Sequence, residues 1–527
     1  MANNLTNCPV CGVKASLKCG GCKNVVYCGK EHQKIHWKKE HKNNCKCFEI
    51  SSDPVLGRYL RATKDIKQGD VILRESPLIY GPKITSYPMC LGCHKILPIP
   101  LNLNDFYKCS KCTWPLCGPQ CEKSPQHIEE CKVMHEKKFI STITASKTPK
   151  KESAYCTILP LRCIMMKKLN PNGYKQFTSL QDHLEERINT PLYKILKSNL
   201  VTFVKTILNL QDSDENEILK TAAILDTNSF EIRQPKNNIK IRALYPSSAM
   251  ISHDCVPNTK HIFDDDLNII FLATVDIPKG GTICTSYTQP LKSTLLRQEH
   301  LRQAKCFDCT CKRCMDPTEL GTYCGAILCS KCKVGKIIST NTSDKNAPWK
   351  CELCPHQIPA KQIAWGNTAI QKEIENLDKK SPKDFEEFIV KYQDTLHEKN
   401  THILQIKYAL TQLYGNVEKF LLHELNSAAV KRKIDLCMEL LDIADIFDPG
   451  LSNFRGLLLL DLQEIMALQT KNEFNEGLIT KEDTQEKLME SMALLQEAVN
   501  ILKVQPELVD MLQNKVENLS KSIEMNE

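Results

Sequence analysis

No apolar run in the 527 residues approaches the roughly 18 needed for a membrane-spanning helix, so no membrane association through such a span is expected. The patch from Leu457 to Leu460 is expected to be a short helical piece ended by Asp461. A secretory leader is not expected, because the opening MANNLTNC has neither a charged n-region nor an apolar h-region. Without one, a reducing compartment is expected, and there disulfides are disfavoured. Charge of one sign is in small excess only. The formal net charge is +8, and part of it is local, with nine Lys against three Glu in the first fifty residues. A mild basic face of that kind fits a solvated surface at least as well as an acidic partner. Neither a recognition helix nor a stripe of interleaved aromatic and basic residues accompanies it, so direct nucleic-acid binding is not expected. What remains, 42% hydrophobic and 25% charged residues, is the balance of a folded chain. Its length calls for roughly three or four domains.

Cysteine, by contrast, is plentiful, at 28 residues, and it follows one pattern used twice. The first copy runs Cys8-x2-Cys11, Cys19-x2-Cys22, Cys28-x3-His32 and His41-x3-Cys45. The second runs Cys90-x2-Cys93, Cys109-x2-Cys112, Cys117-x3-Cys121 and His127-x3-Cys131. Each copy offers eight soft ligands, enough for two tetrahedral zinc ions. Residues 8–45 hold few apolar side chains, so a segment of this kind needs the metal to fold. That shortage argues against the alternative of free thiols in a core. His36 lies outside the ligand spacing and is expected on the surface, on a short helix between Lys30 and Lys42.

The second copy interrupts a β-rich region. Before it, Leu56 to Thr63 and Ile66 to Glu75 read as two short β segments joined by a turn at Gly69. After it, over about 132–225, apolar residues recur at helical spacing, as at Leu196, Leu200, Phe203, Val204 and Ile207. Strand character returns at Ile239 to Leu244 and at Asn268 to Val275. Further on, Cys309-x-Cys311-x2-Cys314 offers three thiolates and lacks a fourth, with Cys306 one candidate. Two more knuckles, Cys329-x2-Cys332 and Cys351-x2-Cys354, bracket a polar loop and read as a four-cysteine ribbon. Cys47, Cys156, Cys163, Cys284, Cys306, Cys324 and Cys437 stay unassigned, and most are expected in cores. From about residue 361 the pattern is helical to the end, broken at Asp448-Pro449-Gly450, and antiparallel helix pairs are expected.

The two Cys/His modules resemble MYND fingers. The segments PSSAMISHDCVPNTK (246–260), IPKGGTICTSY (277–287), CFDCTCKRC (306–314) and DTNSFEIR (226–233) resemble the NHSCxPN, GEEIxxSY, post-SET and NSF stretches of the SMYD family. These are protein-lysine methyltransferases in which a MYND finger is inserted in a split SET domain. The extra finger at the start is similar to an arthropod branch of that family. The implied fold class is multidomain α+β. A zinc-rich split SET β-domain would carry the inserted finger and a helical insert, with a second finger ahead of it and an all-α tetratricopeptide-like lobe behind it. The strict repeat signature of such a lobe is absent. The implied domains are the N-terminal finger (1–47), first SET part (48–89), inserted finger (90–131), helical insert (132–225), SET core (226–290), post-SET segment (291–316), ribbon-like segment (317–360) and helical domain (361–527).

The resemblance joins Cys8, Cys11, Cys28 and His32 at one zinc and Cys19, Cys22, His41 and Cys45 at the next. In the second finger it joins Cys90, Cys93, Cys117 and Cys121, then Cys109, Cys112, His127 and Cys131. Cys255 becomes the fourth ligand beside Cys309, Cys311 and Cys314. With Cys329, Cys332, Cys351 and Cys354 the count reaches about six zinc ions. Tyr287 takes the place of the catalytic tyrosine. Gly57, Arg58, Tyr59, Asn228, Ser252 and His253 would surround S-adenosylmethionine, and Ser229, Phe230 and Lys305 would line the substrate lysine channel. The implied substrates are histone or non-histone protein lysines, and the implied partners are proline-rich peptides of transcriptional regulators. A monomer found in nucleus and cytoplasm is expected.

Three departures bear on activity. Tyr59 replaces the second Gly of the family's GxG, Ser252 replaces the Asn of NHSC, and Lys305 replaces the aromatic residue of the post-SET segment. A bulky ring can crowd the backbone approach to a cofactor, and Ser lacks the amide of Asn. A cation beside the channel repels an incoming ammonium or lowers its pKa. A catalytically weak scaffold that recruits corepressors through its fingers is therefore the alternative reading.

Overall fold

The computed structural model describes residues 7–19, 25–42, 45–98, 106–143, 150–234, 237–505 and 507–524. The chain forms two units, one of Met1–Ile72, Ser252–Ile262 and Phe271–Glu527, the other of Leu73–Ile251 and Phe263–Ile270. It is a multidomain α+β protein.

The first unit holds a four-stranded sheet ordered Ser252–His253, Thr282–Thr285, Gly57–Ala62, Phe48–Asp53. Phe48–Asp53 and Gly57–Ala62 form an antiparallel hairpin in which Ser51 faces Tyr59. Asp53 closes its turn, with Oδ1 accepting from the N–H groups of Val55 at 2.7 Å and Leu56 at 3.1 Å, the usual aspartate side-chain turn. Gly57 then takes φ +68°, a left-handed conformation that glycine adopts without strain. Ile283 pairs with Leu60, and Ser252 runs parallel to Cys284.

The same unit carries a ribbon of four short antiparallel strands, Ile327–Leu328, Lys336–Ser339, Trp349–Cys351 and Gln357–Ile358. Among the described residues seven α-helices follow: Ala360–Asn376, Pro382–Tyr392, Thr401–Leu413, Ser427–Phe447, Asn453–Asn475, Lys481–Leu502 and Val509–Glu524. Their starts are chemically marked, since Asn426, Ser452 and Thr480 each accept a backbone N–H of the first turn. At Asp448-Pro449-Gly450 the chain turns with Gly450 at φ +74°, where a Cβ would meet Thr274 O at 2.0 Å. The expected end at Asp461 does not occur, because Asn453–Asn475 runs straight through it. The Asp461 carboxylate accepts from Gln412 at 2.7 Å and from buried Lys433 at 3.4 Å, so its charge is matched and the helix continues.

In the second unit, Ile239–Leu244 pairs with Ile79–Gly81 on one side and Ser229–Gln234 on the other. Helices Ile158–Leu169, Pro171–Thr178 and Glu215–Asn228 share its core, in which Leu159, Phe177, Ile224, Leu225 and Leu244 are buried. Asp214 caps the last of these helices through Glu217 N at 2.8 Å, and Glu215 and Glu217 complement its N-terminal dipole. That helix ends at Asn228, and Ser229 starts the next strand without a connecting loop.

Candidate functional site

The described Cys and His ligands gather as sets. Cys8, Cys11, Cys28 and His32 lie within 4.8 Å of one another, as do Cys90, Cys93, Cys117 and Cys121, and Cys109, Cys112, His127 and Cys131. Cys19 lies 3.8 Å from Cys45 and 3.2 Å from His41 Nε2. Cys22, expected with them, lies outside the described residues. A donor set of thiolates with imidazole at this spacing fits tetrahedral zinc. Cys329, Cys332, Cys351 and Cys354 form a further set. Gly335 is required beside it, since a Cβ there would meet Cys351 Sγ at 2.3 Å.

The fourth thiol near Cys309, Cys311 and Cys314 is Cys255, all four within 4.8 Å. Cys306 instead ends the helix Thr294–Lys305 in the left-handed conformation, φ +60°. Cys47, Cys156, Cys163, Cys284, Cys324 and Cys437 are buried and Cys306 is half-buried. His36 differs from expectation. It is buried, with Nδ1 3.0 Å from Tyr27 Oη and Nε2 2.9 Å from Glu40 Oε1, and its ring stacks on His41 at 5.2 Å. The spacing rule speaks only of ligands, and His36 supports one.

Around Tyr287 several expected site residues of the first unit come together. The sheet sets Gly57–Arg58–Tyr59 and Ser252–His253 on strands separated only by Thr282–Thr285, and Tyr287 follows two residues later. The Tyr287 N–H donates to His253 Nδ1 at 3.0 Å, and the two rings lie 5.1 Å apart. Burial pushes the Tyr287 phenol above its ordinary range, so it stays protonated. Burial lowers His253 to about 4, so it stays neutral and Nδ1 remains an acceptor. Lys305 Nζ sits 5.2 Å from the centre of the Tyr287 ring, a cation–π contact. Phe307 lies 5.9 Å from His253 and, like Tyr287, packs against the buried cluster of Cys255, Leu301, Cys309 and Cys314. Sequence reasoning passed over Phe307, although it sits inside the quoted CFDCTCKRC segment. Ser252 Oγ is buried without a hydrogen-bond partner. An orphaned hydroxyl of this kind fits a polar cofactor, because leaving it unpaired costs about 1–3 kcal/mol.

Asn228, Ser229 and Phe230 belong to the second unit. Asn228 Nδ2 donates to Gln181 O and Ile224 O, both at 2.7 Å. Ser229 Oγ is a second buried hydroxyl with no partner. Phe230 packs edge-to-face on Tyr245 at 5.9 Å.

Comparison with known proteins adds what geometry alone does not. Residues 8–45 match the MYND finger family and residues 57–288 match the SET domain family. The Drosophila melanogaster SET domain-containing protein SmydA-8, isoform A, is 29% identical over 352 residues, covering 65% of this chain and 72% of its own. Histone-lysine N-methyltransferase ASHR1 of Arabidopsis thaliana is 28% identical, covering 51% of this chain and 55% of its own. Histone-lysine N-methyltransferase SMYD3 of Homo sapiens is 26% identical, covering 49% and 59%.

Proposed function

Because the chain belongs to the SET and MYND domain-containing family, we propose that it is a protein-lysine N-methyltransferase that uses S-adenosylmethionine. Its substrates are histone or other protein lysines, and its fingers recruit proline-rich segments of transcriptional regulators. We place it as a monomer in nucleus and cytoplasm. The observation that carries the reading is the joining of Tyr287 to His253 on the sheet that also bears Gly57–Arg58–Tyr59.

S-adenosylmethionine, when bound, supplies an electrophilic sulfonium methyl. The protein's part is placement. Gly57, Arg58, Tyr59, Ser252 and His253 are proposed to hold the cofactor, with Asn228, Ser229 and Phe230 taking the parts their positions in the motif imply. Tyr287, neutral and fixed through its backbone by His253, is proposed to orient the amine. A lysine amine is nucleophilic only when neutral, yet its ordinary pKa is about 10.4. An apolar wall disfavours its ammonium form, and so does the cation of Lys305. Holding amine and methyl in line removes much of the entropic cost of meeting.

Calorimetry with S-adenosylmethionine on the zinc-loaded chain tests the reading, and measurable heat is expected. Absence of binding at millimolar cofactor would end it in favour of the scaffold reading, which the Lys305 cation on Tyr287 favours. Given binding, Tyr287→Phe is expected to slow methyl transfer on the order of a hundredfold with folding intact. An unchanged rate removes Tyr287 from this role.

A further inference from the structure

Beside the Cys255, Cys309, Cys311 and Cys314 set lies a guanidinium that methyl transfer does not call upon. Arg297, on the helix Thr294–Lys305, is fully buried. Its Nε donates to Cys255 Sγ at 3.1 Å and its Nη2 to Cys314 Sγ at 3.3 Å. On the other side, Nη1 donates to Glu319 Oε2 at 2.7 Å. Glu319 is also buried and accepts from Arg313 Nε at 3.2 Å and Thr294 N at 2.8 Å. Arg313 in turn lies over the Phe447 ring, 3.2 Å from its centre, and donates to Pro290 O and Lys292 O, both at 2.9 Å. Thiols, Arg297, Glu319, Arg313 and Phe447 thus form one buried chain of contacts.

Four thiolates around one divalent ion leave two negative charges. Burying them is costly unless they are neutralised and hydrogen-bonded. The ribbon set meets the same problem differently. Cys332 and Cys354 are half-exposed, and Cys332 and Cys351 accept backbone N–H groups from Gly335 at 3.3 Å and Leu353 at 3.4 Å. Backbone amides serve there, whereas at the other set a full positive charge meets Cys255 and Cys314.

We infer that Arg297 is the built-in counter-charge of the post-SET metal centre and a positioning residue for the site around Tyr287. Its bond to Cys255 fixes the thiolate that His253 Nε2 contacts at 3.3 Å, and His253 holds the Tyr287 backbone. Through Glu319 and Arg313 the same charge fastens the metal centre to the end of the helix Ser427–Phe447. The inference rests on metal at these four cysteines and not on methyl transfer, so a failed calorimetric test leaves it standing.

The experiment takes the full-length zinc-loaded chain with Arg297→Gln and Arg297→Lys. N-ethylmaleimide alkylation is followed cysteine by cysteine by peptide mass spectrometry. In Arg297→Gln, Cys255, Cys309, Cys311 and Cys314 are expected to react about 10- to 100-fold faster, the usual effect of losing a partner that supports metal ligands. Cys329, Cys332, Cys351 and Cys354 should keep their rates, and Arg297→Lys, which retains the charge, should stay nearer the parent chain. With cobalt in place of zinc, Arg297→Gln should also shift the thiolate-to-cobalt absorption, because hydrogen bonds to sulfur weaken its donation. Parent-like rates at the four cysteines overturn the inference. So does equal acceleration at both sets, which marks general unfolding, or equal reactivity of the Lys and Gln variants.

Discussion

The two Cys/His fingers share a ligand pattern and little else. In the finger at 8–45, Cys11 and Cys28 are exposed, and Val13 and Ile35 point to solvent at 59% and 50% exposure. Its core is Tyr27 among the thiols, with Ala15, Val25 and Trp37 packed on it. The finger at 90–131 is embedded. Trp114 is buried, with its indole N–H toward Met134 Sδ at 3.1 Å and its ring 5.2 Å from Tyr155. Tyr155 Oη closes both backbone groups of Met89, at 2.8 and 3.0 Å. His127 presents Nε2 to Cys112 at 3.4 Å and Nδ1 to Glu130 at 3.3 Å. Glu130 is gripped by Arg162 at 2.6 and 2.8 Å. A ligand histidine whose other nitrogen meets a carboxylate is fixed in tautomer and orientation. The lesson is that the same spacing within each ligand pair specifies the metal, while the surroundings decide how much of the fold the metal alone must supply.

Metal removal should break the comparison open most widely. Structural zinc contributes about 10–16 kcal/mol in isolated fingers, and residues 8–45 have little else. Titration with a chelator is expected to release Cys8, Cys11, Cys28 and Cys45 to alkylation first, with 8–45 unfolded while Cys109, Cys112 and Cys131 stay protected. Simultaneous release from both fingers would show that the embedding counts for nothing. Next in size is Arg162→Met. It leaves Glu130, 1% exposed, without its main partner, and stranding a buried charge costs about 3–5 kcal/mol. The thermal transition of the unit holding 90–131 should fall accordingly, while the finger at 8–45 keeps its metal. A loss under about 1 kcal/mol would make this an ordinary surface pair.

What could be read from the sequence divides along the same line. Ligand sets repeat at short fixed spacings, so Cys90-x2-Cys93 and its companions announce themselves. Residues that act on a ligand from afar do not. Arg162 comes 32 positions after Glu130, and Glu319 follows Arg297 by 22, with no periodicity linking either pair. The strands Ile239–Leu244 and Ile269–Ala273 were legible because β-branched and apolar residues cluster between turns. The helical region was legible from spacing, which continues through Asp461, but the partners that match the Asp461 charge, Lys433 and Gln412, were not. Phe307 was hidden by its neighbours, since the cysteines of CFDCTCKRC draw the reading to metal.

His36 offers the finest test. The spacing would leave it on the surface, whereas the fold inserts it between Tyr27 and Glu40 and against the ring of His41. If Nε2 carries the proton and donates to Glu40, Nδ1 accepts from the Tyr27 hydroxyl, so a neutral imidazole satisfies both contacts. Each such bond contributes about 0.5–1.5 kcal/mol net, and the ring stack about as much again. Glu40 is 57% exposed, which discounts its share. His36→Ala is therefore expected to cost about 1–2 kcal/mol and to raise the alkylation of Cys19 and Cys45 several-fold. Cys8, Cys11 and Cys28 should change less, and the finger at 90–131 not at all. His36→Phe keeps the ring without its nitrogens and should recover part of the loss. Unchanged reactivity at Cys19 and Cys45 in the Ala variant would return His36 to the role that spacing alone assigns, and with it the view that the N-terminal finger has no support beyond its metal.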